Sequence, residues 1–228
     1  MNIILTGATG YVGEGVLREL LRMEQVGKVL SVSRRSTGIK HSKLEEYIVA
    51  DFLSLTADDP HWWLDTARTQ TYDAVFFIAG VSSVGMPMDK YKVISQDIPV
   101  HFARIMPDKA KMSFIYLSGG GTRENGPQAW QKVKGATERM ISEMGFKHSY
   151  AYRPMMMTPA KGQNVRQKGQ YIWLPFYPLV WLLGGANTMR AVAQSMVVAC
   201  RNGFTARKKE GVVTPVNPRD ITRLAKQI

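Results

Sequence analysis

Thr6-Gly7-Ala8-Thr9-Gly10-Tyr11-Val12-Gly13 is the stretch on which the fold is decided. It follows the apolar run Ile3-Ile4-Leu5 and opens a helical pattern over Tyr11 to Met23, where Val12, Val16, Leu17, Leu20 and Leu21 recur on one face. The glycine spacing is G-x-x-G-x-x-G, set between a strand and a helix. Gly7 permits the sharp turn, Gly10 lets the backbone approach a pyrophosphate, and Gly13 lets the helix pack close to the strand. The helix then faces the phosphates with free N–H groups and the positive end of its dipole. Three glycines in this frame cost stability that a bare turn would not require. Gly7, Thr9, Gly10, Tyr11, Val12 and Gly13 are therefore candidate cofactor-binding residues.

The rest of the chain repeats the unit. Lys28 to Ser33 predicts a second strand and Tyr47 to Ala50 a third. Pro60 to Gln70 predicts a helix capped by Asp58 or Asp59. Asp73 to Ala79 is a nearly continuous apolar strand, as expected when both sheet faces are covered. A helix follows from Met88 to Met106, with Pro99 expected to kink it or mark a late start. Met112 to Leu117, a helix over Pro127 to Met144, and Ser149 to Tyr152 complete six strands. This alternation implies an α/β fold, a doubly wound Rossmann-type parallel sheet with right-handed crossovers.

After Pro154 the texture changes. Met155 to Gly162 predicts a loop, an apolar Trp/Pro/Tyr segment follows, and Thr188 to Arg201 is strongly helical. Gly211 to Val216 predicts a strand and Pro218 to Gln227 a final helix capped by Asn217. The expectation is a single domain over 1–228, with a cofactor-binding core at 1–157 and a small C-terminal annex at 158–228 that forms a substrate wall or lid.

The end of the second strand selects the cofactor. NAD-binding folds usually place Asp or Glu there for the ribose hydroxyls. Here the strand ends Ser33-Arg34-Arg35 with no carboxylate. Two guanidiniums fit a 2′-phosphate, so Arg34 and Arg35 favour NADP over NAD. Asp51 and Phe52 fit a contact with the adenine. Ala79 and Gly80, ending the fourth strand, would let the chain run close to the cofactor ribose.

Composition excludes other classes. Hydrophobic residues are 45% and charged residues 21% of 228, which rules out disorder, collagen and coiled coil. A lone cysteine, Cys200, rules out an intramolecular disulfide and multi-cysteine zinc sites, and the four histidines lack ligand spacing, so no metal is expected. The net charge of +12 is dispersed; its densest cluster, Arg207-Lys208-Lys209, is followed by Glu210. No specific nucleic-acid partner is expected. The N-terminus lacks a secretory signal pattern and the cysteine is single, which points to a reducing, cytoplasmic location. The apolar core Trp173 to Leu183 is too short to span a bilayer. The stretch 171–183 reads as a lid or as a surface for homo-oligomeric or peripheral association.

Four segments in order resemble the atypical short-chain dehydrogenase/reductase family: the glycine stretch above, Leu117-Ser118-Gly119-Gly120-Gly121, Val133-Lys134-Gly135-Ala136-Thr137-Glu138, and Tyr152-Arg153-Pro154. The sequence is most similar to short NAD-dependent epimerase/dehydratase-like members, related to the NmrA-like group, over residues 1 to 160. The resemblance implies a Ser, a Tyr, and a Lys four residues after it as the catalytic set, with Pro154 at the cofactor. Ser118 matches the serine and Lys134 the lysine, which would also hold the nicotinamide ribose. The tyrosine position is Trp130. An indole N–H donates only and cannot titrate as an acid. No tyrosine of the chain has lysine four residues on; Tyr116, Tyr150 and Tyr152 are the candidates to replace it in space.

Two functions follow. The first is an NADP(H)-binding oxidoreductase acting on a small, apolar carbonyl or alkene, with Met155 to Met157 and the Trp/Phe/Tyr segment lining its pocket. The second is a non-catalytic NADP-binding regulator that senses redox state and binds a protein partner, the reading that Trp130 favours. A nucleic-acid or membrane-surface binder has only the charge behind it.

Overall fold

Successive residues of each central strand go to opposite faces of one sheet, and both faces are dry. Ile3 and Leu5 join one apolar cluster and Ile4 the other; Phe76 joins the first and Phe77 the second; Ile115 sits in the first, between Phe114 and Tyr116 of the second. This double burial is why the strands read as continuous apolar runs rather than as alternating ones. The computed structural model describes residues 1–57, 72–163, 177–182, 184–206 and 210–228. The predicted helix Pro60–Gln70, the cluster Arg207-Lys208-Lys209 and residues 171–176 and 183 of the apolar segment lie outside the described residues.

The elements in chain order are β1 (Asn2–Thr6), α1 (Tyr11–Arg22), β2 (Lys28–Ser33), β3 (Leu44–Ile48), β4 (Ala74–Phe77), α2 (Met88–Lys92), α3 (Ile98–Ile105), β5 (Ser113–Leu117), α4 (Ala129–Ser142), β6 (His148–Tyr152), β7 (Met156–Thr158), α5 (Tyr177–Leu182), β8 (Ala186–Thr188), α6 (Met189–Asn202), β9 (Pro215–Val216) and α7 (Pro218–Ala225). Seven strands form the main sheet in the order β3-β2-β1-β4-β5-β6-β9, every pair parallel. The winding reverses between β1 and β4. A crevice opens there, beyond the carboxyl ends of the strands, and such crevices take ligands in open α/β sheets.

Several expectations shift. The third strand lies at Leu44–Ile48, earlier than Tyr47–Ala50, because Val49 turns inward and Asp51 starts a short 3-10 turn. The helical stretch around Pro99 is divided: a π-turn at Val93–Asp97 joins α2 to α3, and Pro99 stands in the first turn of α3, as a late start would place it. Proline lacks an N–H, and its ring collides with the carbonyl four residues back. Here that carbonyl belongs to Ser95, and it accepts from the Tyr116 hydroxyl at 2.7 Å and the Thr137 hydroxyl at 3.1 Å.

The segment after residue 158 is built into the same core. α6 buries Val192, Ala193, Met196 and Val197 in the cluster that holds Leu17 and Leu20 of α1. β9 pairs with β6 through Ala151–Pro215 and Tyr152–Val216 and extends the main sheet. The boundary drawn at 157/158 cuts β7, which pairs in parallel with β8 as a second, small sheet. The strand expected at Gly211–Val216 shortens to Pro215–Val216, because Glu210 and Val213 close a tight turn before it.

Candidate functional site

The turn after β1 is glycine by steric necessity. Gly7 has φ +75°, and a Cβ on it would lie 2.6 Å from the Ala79 nitrogen. A Cβ on Gly13 would lie 2.0 Å from the Gly7 carbonyl oxygen. Gly10 differs: its nearest obstruction is the Gly7 oxygen at 3.3 Å, and both Gly10 and Thr9 are exposed. Gly10 caps α1 without a side-chain hydrogen bond, and the first helical bond runs from Glu14 N–H to its carbonyl at 2.8 Å. The N–H groups of Val12 and Gly13 precede that bond and have no acceptor within the helix. An open turn followed by a bare helix N-terminus can receive a phosphate.

The flanking residues are held firmly. The Thr6 hydroxyl accepts from the N–H groups of Ile78 and Ala79 at 3.1 and 3.2 Å, which pins the end of β4 beside Gly7. Gly80 follows, exposed. The Tyr11 hydroxyl donates to the Met157 carbonyl at 2.8 Å, so this side chain ties the turn to β7. At the end of β2, Arg34 and Arg35 are exposed and form no ion pair among the described residues. Their loop is fastened by Glu46, which accepts from the Ser36 hydroxyl at 2.6 Å and the Thr37 N–H at 2.7 Å. Asp51 is exposed and accepts from Leu53 N–H at 2.9 Å. Phe52 is buried, its ring packed against Phe102 with centroids 5.9 Å apart.

The second half of the crevice is formed by β5, α4 and the end of β6. The Lys134 ammonium donates to the Ser118 carbonyl at 2.8 Å. The Ser118 hydroxyl is 3% exposed and donates to the Tyr152 carbonyl at 3.2 Å, which binds it to β6 instead of presenting it to the crevice. The resemblance located this serine; the N–H groups of Ser118 and Gly119 also donate to the same carbonyl. The Trp130 indole stands one turn before Lys134 and donates to the Gln128 side chain. The three tyrosines are also committed. Tyr116 donates to Ser95, Tyr150 donates to the Ala199 carbonyl at 3.2 Å, and Tyr152 is fully buried. Burial holds all three phenols above their ordinary value, Tyr150 at about 12.

Lys134 moves the other way. Burial brings its ammonium down to about 8, and Glu138, one turn on, opposes that fall. Glu138 itself is buried and paired: Arg153 reaches it through Nε at 3.0 Å and Nη2 at 2.5 Å, and reaches Glu210 at 2.9 and 2.8 Å. Burial works against the Arg153 charge, but these carboxylates outweigh it and hold the guanidinium above its ordinary value. Pro154 is buried beside this pair, and its carbonyl accepts from Gly120 N–H at 2.8 Å. Sequence reasoning missed Glu138, Arg153 and Gln131 as site-builders. Lys134 and Glu138 stand four residues apart, which places them on one helix face. Gln131, at the third position of α4, donates to the Gly121 carbonyl at 2.7 Å while closing a capping box with Gln128.

A family model described as the NAD dependent epimerase/dehydratase family matches residues 3–121. Among curated relatives, the protein fmp52, mitochondrial, of Aspergillus fumigatus is 25% identical over 167 residues, covering 72% of this chain and 69% of its own length. The FMP52 protein, mitochondrial, of Saccharomyces cerevisiae is 25% identical over 170 residues, covering 74% and 69%. Among solved structures, the UDP-glucuronic acid 4-epimerase of Bacillus cereus in complex with NAD superposes with a TM-score of 0.62 at 15% identity, over 95% of this chain and 78% of that one. The PhqB reductase domain of Penicillium fellutanum gives 0.62 at 16% identity, over 94% and 66%. The expected cytoplasmic location is corrected by these relatives, which carry mitochondrial names. A lone thiol argues for a reducing compartment, and that does not single out the cytoplasm.

Proposed function

The chain belongs to the NAD dependent epimerase/dehydratase family, and from that premise we propose that it is an NADP(H)-dependent oxidoreductase acting on a small, apolar carbonyl or alkene. The observation that carries the cofactor choice is the pair Arg34 and Arg35, exposed and without ion pairs among the described residues, at the strand end where a ribose-binding carboxylate would otherwise stand. In this reading the Gly7–Gly13 turn and the N-terminus of α1 hold the pyrophosphate, Ala79 and Gly80 flank a ribose, and Lys134 and Pro154 close on the nicotinamide end. The fit is supported by Gly10, an exposed glycine at the start of α1, and by the fixed loop that carries the arginines. The bound dinucleotide supplies hydride chemistry. The protein's part is to hold it, to exclude water and to place the substrate. Met155, 63% exposed beside Gly120, supports an apolar substrate wall.

The test is a binding titration with both cofactors. NADPH should bind more tightly than NADH, and replacing both Arg34 and Arg35 with alanine should weaken NADPH by ~2–4 kcal/mol while NADH changes little. Equal affinities in the parent protein would sink the assignment. The regulator reading draws on one observation, the indole at Trp130 with its N–H given to Gln128. Stoichiometric NADPH binding with no turnover on a broad carbonyl panel would favour it.

A further inference from the structure

We propose that Lys134 is itself the proton donor of this site, giving a proton from its ammonium to the oxygen of a bound carbonyl substrate. The proposal rests on the oxidoreductase reading above. It follows from elimination by geometry. Trp130 cannot titrate, and its N–H is turned to Gln128. Ser118 is buried and its hydroxyl is spent on the Tyr152 carbonyl. Tyr116 and Tyr150 donate their hydroxyls to carbonyls inside the core, and Tyr152 is buried with them. Lys134 alone of these candidates reaches the carboxyl end of β5 with donors to spare. An ammonium has three N–H bonds, and one of them is used on the Ser118 carbonyl.

The chemistry balances. A reduced nicotinamide delivers hydride to the carbonyl carbon, forming a C–H bond as the C=O π pair moves to oxygen. One N–H bond of the Lys134 ammonium breaks and its proton forms the O–H bond. The carbonyl is reduced by two electrons, the nicotinamide is oxidised, and the neutral amine regains a proton from water. An acid works best when its pKa lies near the operating pH, and burial brings Lys134 to about 8. The groups around it set that balance. Glu138 on the same helix favours the ammonium, but its charge is shared with Arg153 from the end of β6 and, beyond it, Glu210. Tyr116 on β5 and Tyr91 on α2 have raised values and stay neutral.

The experiment reads the amine directly. The protein, free and with NADPH, is treated with a small amine-acylating reagent across pH 6 to 11, and modification of Lys134 and of exposed Lys132 is followed by peptide mass spectrometry. The expected midpoint for Lys134 is about 8, against roughly 10.4 for an ordinary lysine, with NADPH slowing the Lys134 reaction at least tenfold. A Lys134 midpoint matching that of Lys132, or an amine unreactive at every pH, overturns the proposal. The second arm is Lys134→Arg, checked for NADPH binding and for its melting temperature. A guanidinium stays charged and cannot donate at neutral pH, so reduction of an aldehyde panel should fall at least a hundredfold in the variant that still binds NADPH. In the parent, turnover should decline as pH rises through about 8. Turnover by the variant with an unchanged pH profile overturns the proposal. Failure of the parent to bind NADPH overturns the cofactor reading instead, and the labelling midpoint separates the two.

Discussion

Two glycine turns follow strands of the one parallel sheet, β1 and β5, and they are glycine for different reasons. In the turn after β1, Cβ atoms on Gly7 and Gly13 would strike backbone, which has nowhere to go. In the turn after β5, Gly119 has open space around it and only its φ of +96° asks for glycine, while a Cβ on Gly120 would meet the Cγ of Met155, an exposed and flexible side chain. The first turn is a rigid seat whose shape is fixed by the strands beneath it. The second is a soft rim whose shape depends on side chains. The charges divide in the same way: exposed arginines without ion pairs among the described residues by the first turn, and a buried ionic pair behind the second.

The comparison can be broken at several points. Gly13→Ala should do the most damage, on the order of 4 kcal/mol or more, because relief requires the first turn of α1 to leave β1; denaturant unfolding measures it, and a loss under 1 kcal/mol would mean the seat is not rigid. Next is Glu138→Ala, which strands the buried Arg153 and should cost about 3–5 kcal/mol. Glu210→Ala, on the exposed side of the same guanidinium, should cost no more than about 1 kcal/mol. Lys134→Met should raise stability at pH 7 by roughly 1–2 kcal/mol, since a buried charge is removed. The sign follows from proton uptake. The Lys134 value falls on folding from the ordinary 10.5 to about 8, so between these values the unfolded chain binds more protons, and parent stability should gain over that window as pH rises. Urea midpoints at pH 7.5 and 10 for parent and variant test this. The smallest effects belong to the rim. Gly119→Ala should cost about 1 kcal/mol for its left-handed backbone, and Gly120→Ala about 0.5 kcal/mol or less, as Met155 swings aside.

The seat was legible in the sequence and the rim was not. The glycine frame and the run Ile3-Ile4-Leu5 fixed β1, α1 and, through the repeated pattern, the central strands, because period and backbone geometry are local properties. β7 and β8 were missed since Met156-Met157-Thr158 and Ala186-Asn187-Thr188 are too short to show alternation. Ser118 and Lys134 could be located by resemblance, but the direction of a hydroxyl is decided by the strand next to it, and Tyr152 turns Ser118 inward. That the Phe52 ring packs on Phe102 was not legible either, because the two are far apart in sequence. The pairing of Glu138 with Arg153 joins a helix to a strand end, and no spacing rule encodes that.

α6 lies against α1, and the two are separated by most of the chain. During synthesis α1 therefore emerges well before the helix that packs on it. β1, α1 and β2 precede α6 by most of the sequence, yet Leu17 and Leu20 lack part of their cover until Val192 to Cys200 arrive. β6 likewise offers a bare edge until Pro215 and Val216 dock on it. Contacts this distant in sequence slow folding, and exposed edges invite association. The last elements of the chain therefore close the apolar surface that its first helix opens.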